Sequence, residues 1–153
     1  MRNKPINETE RRAKRLATPK RLSVFPDFIQ WYIDTPKVCC YCGVKEEYLS
    51  QYFNTENPQY FIDKDNKARQ RGKFLEIERK QTVGKLNSYS EDNVALACYV
   101  CNNAKSDFIS PANFKPIAQG IHNFWKKVLP EGLGELIFPE SSNVWKEVKY
   151  DHK

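Results

Sequence analysis

The chain has 153 residues, 40% of them hydrophobic and 13% aromatic. That is enough for one domain with a real core and too apolar for wholesale disorder. No run approaches the roughly 18 apolar residues of a membrane span. The opening MRNKPINETERRAKRLATPKRL lacks the apolar stretch of a secretory signal, so a cytoplasmic setting without a membrane partner is expected. The net charge of +6 is concentrated: residues 1–21 hold eight basic groups against Glu8 and Glu10, and the remaining 17 basic and 17 acidic side chains cancel.

In chain order, residues 1–22 read as a basic N-terminal arm, with Arg11, Arg12, Lys14 and Arg15 its candidate nucleic-acid contacts. Such an arm suits a polyanion, because each phosphate it neutralises releases condensed counterions. A solvated, partly helical tail without a partner is the alternative. Residues 23–37 read as a flanking helix, entered near Ser23 or Asp27, with Pro26 in its first turn, and stopped by Pro36. A knuckle follows at Cys39-Cys40-Tyr41-Cys42-Gly43, then a short helix over 45–53. The stretch 54–72 is polar, with Asn57-Pro58 and Arg71-Gly72 but no clear period, and reads as an insertion. Phe74 to Arg79 alternates apolar and charged side chains as a half-buried strand does. After a loop over Gly84–Asp92, Asn93–Ala97 reads as a second short strand and Cys98–Phe108 as a helix. Pro111 and Pro116 each open a further helical segment, with Ile117, Ile121, Phe124 and Val128 on one face and His122 turned away toward solvent. The end, from Pro130, has little periodicity, and His152 sits in a tail where mobility is expected.

Five cysteines in a chain without a secretory signal argue against a complete disulfide framework. Cys39-x-x-Cys42 and Cys98-x-x-Cys101 can each place two thiolates on one ion, and zinc favours four such ligands in a tetrahedron. Gly43 fits the tight turn of a knuckle, and a pair opening a helix sits where the positive helix end favours thiolates. Structural Zn2+ on these four residues is the expectation, with Cys40 the spare; buried free thiols or a redox pair are the alternative. The 55 residues between the pairs exceed what a compact zinc ribbon uses.

The order strand, loop, strand, helix, bracketed by cysteine pairs, resembles the HNH endonuclease family of ββα-metal nucleases over about residues 38–108. The likeness is most specific at CYCG, LEIER, EDNVALAC and CNNAKSD. It implies an α+β fold, a zinc-stapled ββα-metal core over 38–108 with an insertion at 54–72, followed by a C-terminal helical flank and tail over 109–153. The implied activity is hydrolysis of DNA phosphodiester bonds with one divalent ion, Mg2+ or Mn2+, on double-stranded DNA. A double-strand cut by a one-metal site commonly needs two active sites, which leaves a homodimer open.

Position by position, Glu78 falls on the family's metal-binding acid, Asn93 on the middle Asn that pins the loop, and Asn102 on the helix residue completing the metal site, with Asn103 as its alternative. A carboxylate and an amide oxygen are hard ligands suited to such an ion. The family's general-base His is replaced by Arg79, which cannot deprotonate water at neutral pH but can bind a phosphate bidentately. Lys80, Tyr89 or a metal-bound hydroxide are the candidate bases. Lys105, three residues beyond Asn102, is placed for a phosphate contact. From Lys64 to Lys85 eight basic residues stand against three acidic ones, a local +5 including Arg71, Lys73 and Lys80, around the proposed catalytic strand. The runner-up is a zinc-stabilised nucleic-acid-binding module with an inactive nuclease site, which the Glu-Arg pair favours. Ordinary salt-bridging by Glu78 and Arg79 is the reading without chemistry.

Overall fold

The computed structural model describes residues 7–53, 72–82, 88–129 and 136–146. Arg71, nearly all of the expected insertion, part of the loop before Ser88, and His152 lie outside them. Within them the chain is α+β, mostly helical with one small antiparallel sheet.

The N-terminal segment is helical and docked. α1 (Glu8–Leu16) is capped by the Asn7 side chain, which accepts from the Glu10 N–H, and carries acids in its first turn and cations in its last. That arrangement suits the helix dipole, but nine residues alone are marginal in water. Packing on α3 (Phe28–Asp34) supplies the rest. Ala13 is fully buried there, while the Arg12 guanidinium lies 4.0 Å over the Phe74 ring and donates to Tyr32 Oη at 3.0 Å. α2 (Pro19–Val24) has Thr18 as its cap and Pro19 in its first turn. The single flanking helix expected over 23–37 is broken: α2 ends at Val24, and α3 begins after Asp27 and ends before Pro36.

The knuckle is a closed turn. Cys39 N–H donates to Val44 O, Gly43 N–H to Cys39 O, and Cys40 N–H to Leu96 O, so the turn is tied to the sheet. Gly43 has φ +82°, and a Cβ there would sit 2.0 Å from Ile137 O. Backbone conformation and close approach therefore both demand glycine. α4 (Glu46–Phe53) follows, with Tyr48, Leu49 and Tyr52 buried.

β1 (Glu76–Arg79) pairs antiparallel with β2 (Val94–Ala97), with Glu76 opposite Ala97 and Glu78 opposite Ala95. α5 (Tyr99–Lys105) starts directly on β2, giving the expected strand–strand–helix order. α6 is one continuous helix, Pro111–Val128, rather than two segments. Pro116 sits inside it on the exposed side, where it removes one backbone bond at about 3 kcal/mol. Phe114, Ala118, Ile121 and Trp125, buried on the other side, outweigh that at about 1.5–3 kcal/mol for each large side chain. The buried stripe is thus set by Phe114 and Trp125, and Ile117, expected inside, is 41% exposed.

The stretch 136–146 has no period in the sequence because aromatic packing orders it. Phe138 stacks on Trp145, Trp145 meets Tyr41, and the Trp145 indole N–H donates to Pro139 O at 2.7 Å. Among the described residues no helix is long and apolar enough to cross a membrane.

Candidate metal centre and candidate active site

Cys39, Cys42, Cys98 and Cys101 are all buried, and their Sγ atoms lie within 4.8 Å of one another. Cys42 and Cys98 stand 3.7 Å apart, too far for a disulfide and close to the edge of about 3.8 Å that a tetrahedron with Zn–S bonds of about 2.3 Å requires. Local backbone explains the convergence. Cys42 N–H points at Cys39 Sγ, and Cys98 caps α5 with its sulfur accepting from the Cys101 N–H. Burial raises the Cys39 thiol, and S–H bonds from Cys101, Cys42 and Cys98 more than reverse it. Burial holds Cys42 protonated. A zinc ion would hold all four as thiolates. Cys40 stands outside the cluster.

His122 is not the solvent-facing residue expected. It is 8% exposed, with Nδ1 donating to Cys42 O at 2.9 Å and its ring edge-on to Phe138. The reason is the shifted face of α6: with Ala118 and Trp125 inside, the residue four after one and three before the other must also turn inward.

Glu76 and Glu78 share a face of β1, and Asn102 and Lys105, three apart, share a face of α5. Two residues of strand cover about 7 Å and three of helix about 4.5 Å, so the pairs meet as two rungs. Asn102 Nδ2 donates to Glu76 Oε1 at 2.8 Å, and Lys105 Nζ lies 3.5 Å from Glu78 Oε1. Glu78 is 4% exposed and Lys105 fully buried, with Lys105 also 3.4 Å from Arg79 O. Lys105 is therefore not on the phosphate-facing surface its spacing suggested. Burial pushes the Glu78 carboxyl up to about 7, against the pull of the Lys105 ammonium. Its second oxygen, Oε2, is buried without a hydrogen-bond partner. Such an orphan is costly, and it is a donor atom that a hard divalent cation would satisfy.

A pH effect follows from that carboxyl. Since the folded chain keeps a proton that the unfolded chain releases, the Glu78 contribution to stability in magnesium-free buffer should be fully present below about pH 4.5 and be lost as pH rises through about 7. The change attributable to Glu78 is on the order of 3 kcal/mol. Urea unfolding across this range, for the parent and Glu78→Gln, measures it; parallel curves would refute it.

Glu78 and Asn102 line one cleft of about 260 Å3 together with Arg79, Thr82, Tyr89, Asn103, Ser106 and Asp107. Arg79 lies 3.9 Å from Asp107 and 4.8 Å from the Tyr89 ring centroid. The same ring is met by Arg21 of α2 at 5.2 Å. Tyr89 therefore lies against a cation from the N-terminal segment as well as against Arg79 of β1. Asn103 is exposed and donates to Tyr99 O, leaving Asn102 as the residue held against β1.

Asn93 is buried, and among the described residues its Oδ1 accepts from Gln81 N–H at 2.9 Å while Nδ2 donates to Gln81 O at 3.0 Å and Ser88 O at 2.7 Å. Lys80 N–H donates to Asn93 O. Asn93 itself does not line the cleft. Of the candidate nucleic-acid contacts, Arg11 and Lys14 pair with Glu8 and Glu10 on the exposed side of α1, and Arg15 is exposed beside them. Arg12 is turned inward. Lys73 and Lys80 are half-buried near the strand.

Sequence reasoning did not single out Glu76, although strand alternation put it on the Glu78 face. Nor did it assign Asp107, whose partner is distant in sequence.

No family model matches the chain, and no curated protein matches it. Among solved structures, one described as showing an extraordinary mechanism of DNA perturbation by the rare-cutting HNH restriction endonuclease PacI is similar at 25% identity and a TM-score of 0.47. The likeness covers 67% of this chain and 63% of that one, less than two thirds of the latter's length.

Proposed function

We propose that the protein is a zinc-stapled endonuclease of the HNH type, hydrolysing phosphodiester bonds of double-stranded DNA. The supporting observation is the meeting of Glu78 and Asn102 in one cleft beside Arg79, with a buried carboxylate oxygen that has no hydrogen-bond partner. Glu78 Oε2 and Asn102 Oδ1 would hold a divalent ion, Mg2+ or Mn2+, the Asn102 amide being oriented by its bond to Glu76. When bound, that ion offsets negative charge on the scissile phosphate and the leaving oxygen. Arg79 would bind a non-bridging phosphate oxygen, and its placement by Tyr89 and Asp107 serves that role. In this reading Lys105 compensates the Glu78 charge, and Asn93 positions the chain on either side of the cleft. Arg11, Lys14, Arg15, Lys73, Lys80 and Arg71 supply sequence-independent grip on the backbone, as the uneven charge distribution suggests.

The alternative, a nucleic-acid-binding module with a silent active site, draws on two facts: Arg79 cannot serve as the base, and Lys105 already occupies one oxygen of Glu78. Supercoiled plasmid incubated with magnesium or manganese separates the two. The parent should nick it and Asn102→Ala should do so at least about 100-fold more slowly. Equal nicking by both proteins would point to contamination, and no nicking with either metal would overturn the nuclease reading.

A further inference from the structure

Phe108 is 90% exposed, the most exposed large apolar side chain among the described residues. A phenylalanine ordinarily gains by burial, and this one is held out by firmly placed backbone. Ser106, ending α5, has φ +51° and ψ −151°, a left-handed conformation that non-glycine residues adopt only where their surroundings enforce it. Ser106 N–H still donates to Asn102 O, and Thr82 Oγ1 donates to Asp107 O at 3.0 Å. Beyond Phe108, Ile109 packs against the core and Ser110 caps α6, whose first residue Pro111 is buried. The turn is thus fixed on both sides, and its one large apolar side chain projects.

Its position gives that projection a use. Ser106 and Asp107, the two residues before it, line the cleft that holds Glu78, Arg79 and Asn102, so the Phe108 backbone continues directly from the cleft lining. We infer that Phe108 is a base-stacking residue: with the scissile phosphate in the cleft, its ring packs on a nucleobase of the same DNA strand. This rests on the DNA-binding part of the function proposed above. A polyanion seated in that cleft necessarily brings bases alongside its phosphates. Every base has a π-face, so a single projecting ring can grip DNA without reading its sequence, and apolar side chains entering between base steps are a known way to hold a bent duplex.

The test uses the full chain in magnesium-free buffer, with a fluorescein-labelled duplex for affinity and the same duplex carrying 2-aminopurine for stacking. Phe108→Ala and Phe108→Leu should bind about 5- to 150-fold more weakly than the parent and lose the 2-aminopurine signal change, whereas Phe108→Trp should keep both. All three variants should melt as the parent does, since the side chain is solvated. Parent-like binding by Phe108→Ala, or equal loss in all three, would overturn the inference. So would absence of DNA binding by the parent, or a DNA-independent dimer in sedimentation that Phe108→Ala dissolves, which would assign the ring to a second copy. The catalytic reading fails separately: ring-dependent binding without any plasmid nicking leaves Phe108 in place and removes only the hydrolysis.

Discussion

Cys101→Ser is expected to abolish the cooperative thermal transition of this protein. The four sulfurs join the knuckle to the start of α5, and the knuckle is bonded to β2 through Cys40 and to α6 through His122. Loss of the centre therefore reaches every element around the cleft. Structural zinc in small domains contributes about 10–16 kcal/mol in apparent terms, comparable to the entire stability of a domain this size, about 5–15 kcal/mol. Far-UV circular dichroism melts and metal analysis provide the measurement. The parent should carry about one equivalent of zinc and melt sharply, while Cys101→Ser should hold under about half an equivalent and unfold gradually. Cys40→Ser, outside the cluster, serves as the control and should keep its metal. A parent chain without zinc, or a Cys101→Ser variant melting like it, would remove the staple.

The second large effect concerns the buried pair. Above pH 7, where Glu78 is ionised, Glu78→Leu leaves the Lys105 ammonium fully buried without its counter-charge, which should cost about 3–5 kcal/mol. Adding Lys105→Met removes the stranded cation, and the double variant should recover most of that loss. Activity should not follow stability. Both variants lack the carboxylate assigned to the divalent ion and should nick plasmid at least about 100-fold more slowly than the parent. A stable double variant that cuts like the parent would show that Glu78 only supports the fold. A double variant no more stable than Glu78→Leu would show that the two charges are not energetically coupled.

The strand, strand, helix order and the gathering of the four paired cysteines were legible because they rest on local rules. Alternation marks β1, and the two-residue gap of each cysteine pair fixes a turn. Partners far apart in sequence were not legible. Lys105 carries the spacing of a surface cation, and only the packing of α5 on β1 turns it inward to Glu78. Arg12 sits in a run of positive charge like its neighbours, yet Phe74 and Tyr32 draw it into the interior. The orientation of α6 was misjudged because small aliphatics at 117 and 121 suggested one stripe, while the aromatic bulk at 114 and 125 selects the adjacent one. Glu76 was hidden for a similar reason: its role as the orienting partner of Asn102 exists only across the strand–helix contact.

The Asn93 side chain ties the backbone at Gln81 to that at Ser88, closing a ring outside of which lie β1, β2 and the cleft floor. Gln81 lies two residues beyond β1 and Asn93 directly precedes β2, so one amide side chain sets how the chain leaves the first strand and enters the second.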